Sequence, residues 1–222
     1  MDIEIYSDVV CPWCYIGATR LRAALATFPA EVMLRWRPFQ LDPHAVREPV
    51  AHRLARKFGG PEAARAAIAR ATAAGAAEGL EFDYDRAVAA NSFDAHRLLW
   101  FADRPEAVVF GAAADTQPRL AELLFRAHFS QGLDVAAPDV LTALAVDVGL
   151  DGPRVQQMLA SDEGTVEVRA DLADAIDLGI TAVPTFVFAG RYAVVGAHDS
   201  ATLRSVLDRV VQPDAPIMDL SP

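Results

Sequence analysis

The chain has only two cysteines, Cys11 and Cys14, and they lie three residues apart in the sequence CPWC. At the start of a helix this spacing brings two sulfur atoms close enough to form a reversible disulfide. The helix dipole and its free N–H groups also stabilise a thiolate at the first cysteine. We therefore predict that Cys11 is a nucleophile and that Cys14 resolves the mixed disulfide that it forms.

Two other interpretations of the cysteine pair remain open at this stage. A closed zinc site needs about four ligands, but the sequence has no second cysteine pair, and its five histidines show no matching spacing. We therefore predict no metal site. Inert buried cysteines are the second alternative, and the pattern around the pair favours a redox site over them.

The residues around the pair predict a strand that runs into it and a helix that runs out of it. Ile3 and Ile5 alternate with polar residues, as in a half-buried strand. Apolar positions with helical spacing then run from Cys14 to Phe28, with Pro12 well placed in the first turn. A second alternating segment, residues 31–37, ends at Pro38 and completes a β-α-β order.

Helical spacing dominates from about residue 52 to residue 178, although residues 104–117 fit no pattern well. Strand patterns return at residues 185–188 and 192–195, and a last helix follows. The sequence thus predicts an α/β fold with a large all-helical insertion. We assign residues 1–45 and 179–212 to a discontinuous α/β domain, 46–178 to the insertion and 213–222 to a tail.

Composition and charge exclude several classes of function. The 222 residues, of which 53% are hydrophobic, suffice for a substantial core. A net charge of −10 disfavours nucleic acid and anionic membranes as partners. No apolar run reaches the length of a membrane span, and the early strand leaves no room for a signal segment. We therefore expect a cytoplasmic protein, in which a close cysteine pair is rarely structural.

The segment GITAVPTFVF, residues 179–188, is the second candidate for a functional element. Its spacing alone favours an ordinary trans proline at the start of a strand. Together, CPWC, the helical insertion and Val183-Pro184-Thr185 resemble the DsbA-like oxidoreductases of the thioredoxin fold, in particular the FrnE-type branch. The sequence is similar also to 2-hydroxychromene-2-carboxylate isomerases and kappa-class glutathione transferases.

This resemblance implies roles for several residues. Val183-Pro184 would form a cis bond against the cysteine pair, with the Val183 backbone hydrogen-bonded to substrate. Trp13 lies between the two cysteines, which favours a role as an apolar platform for substrate beside Cys11 over simple packing on the helix start, and Pro12 is a further candidate substrate contact.

The segment NSFDAHRL (residues 91–98) resembles one that lines the active-site cleft in this family. Asn91 and His96 are therefore candidate substrate contacts, although a helix cap and a surface histidine would fit equally well. His198 and Asp199 are interpreted as a loop and a helix cap.

These observations predict a thiol-disulfide oxidoreductase that acts on a protein or a small molecule bearing a disulfide or thiol. No bound cofactor is expected besides the redox-active disulfide, and glutathione is a candidate co-substrate. A glutathione-dependent isomerase or transferase is one alternative, but such relatives typically have serine in place of Cys11. A non-catalytic binding or chaperone module is the other alternative. The sequence indicates neither the direction of electron transfer nor the oligomeric state.

Overall fold

Four strands form one mixed sheet in the computed structural model, which describes residues 1–104 and 115–212. They are β1 (Asp2–Ser7), β2 (Met33–Pro38), β3 (Thr185–Phe188) and β4 (Tyr192–Val195). The order across the sheet is β2-β1-β3-β4. The β1 strand pairs in parallel with β2 and antiparallel with β3, and β3 pairs antiparallel with β4. The chain therefore carries its first strand into the middle of the sheet, directly before the cysteine pair.

Two helices pack with each other and with the sheet, namely α1 (Pro12–Leu25) and α9 (Ser200–Val210). Ile3 and Ile5 of β1 and Phe186 and Phe188 of β3 are buried against them. This core includes Ile3, Ile5, Leu21, Phe186, Phe188, Leu203 and Leu207. Burial of several large side chains, each worth about 1.5–3 kcal/mol, fixes α1 on the sheet.

Seven helices lie between β2 and β3 in the described part of the chain. They are α2 (Val50–Phe58), α3 (Pro61–Ala77), α4 (Phe93–Ala102), α5 (Thr116–Phe129), α6 (Pro138–Asp147), α7 (Gly152–Leu159) and α8 (Thr165–Asp177). A second apolar core joins α4, α5, α6 and α7, with Leu98, Phe101, Leu120, Leu124 and Leu141 buried in it. The predicted fold class, an α/β fold with a large all-helical insertion, is confirmed.

The proposed domain boundaries stay a prediction, since Trp36 of β2 packs against both cores. The predicted tail, residues 213–222, and most of the segment that fitted no pattern lie outside the described residues. None of the described helices is both long and apolar enough to cross a membrane.

Candidate active site

The two cysteines lie at the N-terminus of α1. Cys11 is the N-cap residue in an extended conformation, and Pro12 occupies the first helical position, where its missing N–H costs nothing. The backbone N–H groups of Cys14 and Tyr15 donate to Cys11 O over 3.1 and 3.3 Å. Both thiols are free, with Cys11 4% and Cys14 1% exposed. The helix start thus places both sulfur atoms at the edge of the core.

Their surroundings shift the two thiol pKa values in opposite directions. Hydrogen bonding from the Cys14 side chain lowers the pKa of Cys11, and the N–H groups of Cys14 and Trp13 add to this effect against the cost of burial. Burial raises the pKa of Cys14 well above its ordinary value, and the neighbouring Cys11 raises it further. Cys11 is therefore the thiol that ionises first, which is the requirement for a nucleophile.

A buried carboxylate lies directly before the pair and was not singled out in the sequence. Asp8 Oδ2 accepts a hydrogen bond from the Leu41 N–H over 2.7 Å, and Oδ1 lies 3.7 Å from His96 Nε2. Burial opposes ionisation of Asp8, but these contacts outweigh it and hold its pKa below the ordinary value. The negative charge works against the Cys11 thiolate. Its position at the end of an apolar strand, three residues before the cysteine, was the available signal.

The segment before β3 meets the cysteine pair in space, although it lies 172 residues away in sequence. The Val183-Pro184 bond is cis. Cys11 Sγ lies 3.9 Å from Val183 O, which is within hydrogen-bonding distance for a thiol donor. Pro184 packs on the same helix, because a Cβ built on Gly17 would lie 2.9 Å from Pro184 Cγ. Glycine at position 17 therefore allows α1 to approach this segment closely.

A cleft of about 340 Å³ opens beside Cys11. It lies between the helix start, the Thr181–Val183 segment and the helical insertion. The insertion contributes mainly apolar side chains, which include Val50, Leu54, Phe58, Ile68, Ala71, Ala90 and Phe129. Pro12 and Trp13 line the cleft, and Trp13 is 40% exposed beside it. Val183 lines it as well.

The structure places Asn91 and His96 outside this cleft, contrary to expectation. The Asn91 side chain donates to Pro43 O over 2.8 Å and accepts from Gln40 and from the Phe93 N–H. His96 is buried, with Nε2 3.1 Å from Phe39 O. Both side chains therefore contact the loop after β2 and not the cleft. The sequence could not show this, since helical spacing does not reveal which partner a polar side chain meets.

Two further cleft residues, which the sequence patterns did not indicate, are His128 and Lys57. His128 is 2% exposed, and its Nδ1 has no hydrogen-bond partner among the described residues. Burial lowers its pKa to about 4, so the imidazole is neutral at pH 7. Lys57 lies on α2 and is exposed. Neither stood out in the sequence, because each lies within an amphipathic helical pattern.

The remaining candidates have structural contacts. His198 Nε2 lies 3.0 Å from Val195 O, and the Asp199 carboxylate accepts from the Thr202 N–H at the start of α9. Within residues 1–104 and 115–212, no cluster of three or more histidine, cysteine, aspartate or glutamate side chains could hold a metal ion.

Comparison with known families identifies the fold. The family model of the DSBA-like thioredoxin domain matches residues 2–208, which is nearly the whole chain. The chain belongs to the DsbA-like thioredoxin family. It is also similar to the crystal structure of a probable DsbA oxidoreductase from Streptomyces coelicolor, with 34% identity and a TM-score of 0.84 over 98% of this chain and 93% of that one.

Two more distant structures share the fold of this DsbA-like chain. A 2-hydroxychromene-2-carboxylate isomerase has 19% identity and a TM-score of 0.67, with full coverage of both chains. The cytosolic disulfide reductase DsbM from Pseudomonas aeruginosa, solved with GSH, has 20% identity and a TM-score of 0.64 over 94% of this chain and 98% of that one. The family resemblance inferred from CPWC and Val183-Pro184-Thr185 is thereby confirmed at the level of the DsbA-like family.

Proposed function

We propose that this DsbA-like chain is a thiol-disulfide oxidoreductase in which Cys11 is the nucleophile and Cys14 the resolving thiol. The observation that carries the proposal is the asymmetry of the pair. Cys11 caps α1 with a lowered pKa and lines an open cleft, whereas Cys14 lies one turn further along with a raised pKa. Such a pair supplies one thiolate for attack and one protected thiol for the second step.

The reaction balances with these two residues alone. The Cys11 thiolate attacks one sulfur of a substrate disulfide, the S–S bond breaks, and the other sulfur leaves with the electron pair as a thiolate. Cys14 then loses its proton and attacks Cys11 Sγ, which forms the Cys11–Cys14 disulfide and releases the second substrate thiolate. The substrate gains two electrons and the cysteine pair loses two.

We also propose that the chain works in the cytoplasm and that a small thiol returns the pair to its reduced form. Glutathione is the candidate, because the chain shares its fold with DsbM, whose structure was solved with GSH. In a reducing compartment the resting pair would be the dithiol, so reduction or isomerisation of substrate disulfides is the proposed direction.

Trapping of the mixed disulfide tests the proposal. With a model peptide disulfide, the Cys14→Ser variant should accumulate a covalent adduct on Cys11, because nothing resolves it, whereas Cys11→Ser should form none. Mass spectrometry of the intact protein reads the adduct directly. Equal adducts on both variants would show that the two thiols are interchangeable and would overturn the assignment of roles. Steady reduction of the peptide disulfide by Cys11→Ser would overturn the function itself.

A further inference from the structure

The cleft beside Cys11 has apolar walls and a biased distribution of charge. Among the described residues that line it, Arg53 and Lys57 are the charged ones and none is a carboxylate. His128 adds no charge at pH 7, since its pKa is about 4, and burial raises the pKa of Tyr84 so that it stays a neutral phenol. Apart from the thiolate of Cys11, the fixed charges in the cleft are therefore positive.

Of these two cations, only Lys57 is available to a ligand. Arg53 Nε and Nη2 lie 2.8 and 2.6 Å from Asp42 Oδ2, so that guanidinium is already paired. Lys57 has no ion pair within the described ranges, and its Nζ lies 6.0 Å from the Phe58 ring centre. It is also the chain's single lysine, since arginine supplies the other basic residues. One unpaired ammonium group thus lies in the lining of the cleft that contains the reactive thiol.

The size and depth of the cleft restrict what can reach Cys11. Cys11 is only 4% exposed, so a substrate group must enter the cleft to reach the thiol. The cleft volume of about 340 Å³ lies near the lower end of the range for small-molecule sites. Leu54, Phe58 and Ile68 offer apolar contact, which is the kind of surface that buries a ring or a branched chain. A compact, largely apolar ligand fits this description.

We propose that the cleft binds a low-molecular-weight disulfide or thiol whose sulfur is joined to an apolar, ring-sized group that carries a carboxylate or another anion. Lys57 Nζ binds the anion while the sulfur meets Cys11. This inference rests on the proposed function and names its substrate class. Because the whole chain carries a net charge of −10, anions are repelled in general, and the local cation decides whether one is accepted.

Two aromatic disulfides separate charge recognition from thiol chemistry. Dithiobis(nitrobenzoate) carries a carboxylate on each ring, whereas 4,4′-dithiodipyridine is uncharged at pH 7.5. In both reactions the Cys11 thiolate displaces one arylthiolate and forms a mixed disulfide, and Cys14 then displaces the second arylthiolate to leave the Cys11–Cys14 disulfide. The released chromophore gives the second-order rate constant for each reagent. The ratio of the two constants, anionic over neutral, is the quantity compared between variants.

Three variants define the expected result. In Lys57→Met the ratio should fall at least about threefold, which corresponds to about 0.65 kcal/mol at 1.36 kcal/mol per tenfold change and suits an exposed ion pair. Lys57→Arg keeps the charge and should restore most of the ratio. Arg65→Met removes the same charge from an exposed position on α3 outside the cleft lining and should leave the ratio unchanged.

Other outcomes overturn the inference in distinguishable ways. An unchanged ratio in Lys57→Met, or an equal fall in Arg65→Met, would show that Lys57 recognises no anion and that only the general field matters. A failure of both reagents to modify Cys11 would instead refute the proposed function, and the inference with it.

Binding without disulfide chemistry gives a separate measurement. The non-reactive 4-nitrobenzoate should slow alkylation of Cys11 by uncharged iodoacetamide in the wild type more than nitrobenzene does. This difference should be lost in Lys57→Met and kept in Arg65→Met. Equal protection by the two compounds in the wild type would contradict an anion site.

Discussion

Two of the cavities in the described part of the chain have similar volumes, but their linings differ in kind. The cleft at Cys11 has about 340 Å³ and mainly apolar walls. The other cavity, of about 300 Å³, lies between β2, α4 and α8 and is lined by charged residues that include Arg37, Asp103, Arg104, Glu167 and Asp171. In this polar cavity Arg37 Nη1 lies 3.6 Å from Asp171 Oδ1. Volume therefore does not distinguish the two cavities.

The distinction comes from what the charged and reactive groups can do. The polar cavity is lined by both cations and carboxylates, and its described lining residues include no cysteine. In the cleft, a thiol of lowered pKa faces apolar walls with no carboxylate among the described lining residues. A nucleophile of shifted pKa in a cleft is typical of a functional site, whereas an ion pair at a partly exposed position is typical of a structural surface.

The largest loss of activity is expected for the cleft variant Cys11→Ser. Because the hydroxyl cannot attack a disulfide, exchange with a model disulfide should fall to the uncatalysed rate. Below the ordinary thiol pKa, alkylation of wild-type Cys11 should exceed that of a free cysteine, since its lowered pKa leaves more thiolate. Rates of alkylation against pH, with peptide mapping, measure both effects. Faster modification of Cys14 than of Cys11 at pH 6 would contradict the assignment.

Acid should destabilise the fold through the cleft residue His128. Its pKa is lowered from 6.5 to about 4 by burial, so the unfolded chain takes up the proton first as the pH falls. The contribution of neutral His128 to the free energy of unfolding is fully present above pH 6.5 and is lost as the pH falls toward 4. The difference between 6.5 and 4 at 1.36 kcal/mol per pKa unit gives a loss of about 3 kcal/mol.

Urea unfolding at a series of pH values measures this loss. His128→Phe should flatten the dependence between pH 6.5 and 4, whereas His44→Gln, at an exposed histidine, should leave it as in the wild type. An identical pH dependence in His128→Phe and the wild type would show that this histidine is not the group responsible.

Gly17→Ala should have the next largest effect, because α1 lies close to the segment that borders the cleft. The added Cβ would lie 2.9 Å from Pro184 Cγ and 3.1 Å from Phe186 Cζ, and the proline ring has little freedom to move. We expect a loss of about 1–3 kcal/mol in the free energy of unfolding, as for other overpacked cores, together with altered Cys11 alkylation.

Gly152→Ala provides a matched control at a glycine that lines neither cavity. Its Cβ would lie 3.0 Å from Cγ2 of Val146, which is 51% exposed and does not line the cleft. It should change stability less and should leave Cys11 reactivity unaltered. Comparable effects from the two glycine variants would remove the special role of the contact between α1 and Pro184.

The smallest effect is expected in the polar cavity. Burial raises the pKa of Asp171, and Arg37 partly offsets this. Asp171→Asn exchanges one partly exposed ion pair for a polar contact, so stability should change by less than about 1 kcal/mol. The rate of disulfide exchange should equal that of the wild type. A clear loss of exchange would mean that the polar cavity contributes to the reaction and that the two cavities are coupled.

Local pattern was sufficient for the elements that carry the cysteine pair. Alternation at Ile3 and Ile5 predicted β1, and the apolar stripe from Cys14 predicted α1 with Cys14 on its buried face. These features depend on periodicity and on the preference of Pro12 for a first helical turn, which are properties of neighbouring residues. For the same reason the sequence by itself favours Cys11 over Cys14 as the nucleophile.

Tertiary structure decided which distant residues surround that pair. Val183 lies 172 residues from Cys11 yet has its carbonyl beside the thiol, because β3 pairs with β1 in the sheet. Packing likewise placed Lys57 and His128 in the cleft and turned Asn91 toward the loop after β2. Spacing along the chain records which face of a helix a residue occupies. The partner of that face depends on how separate elements pack, and sequence periodicity carries no information about that.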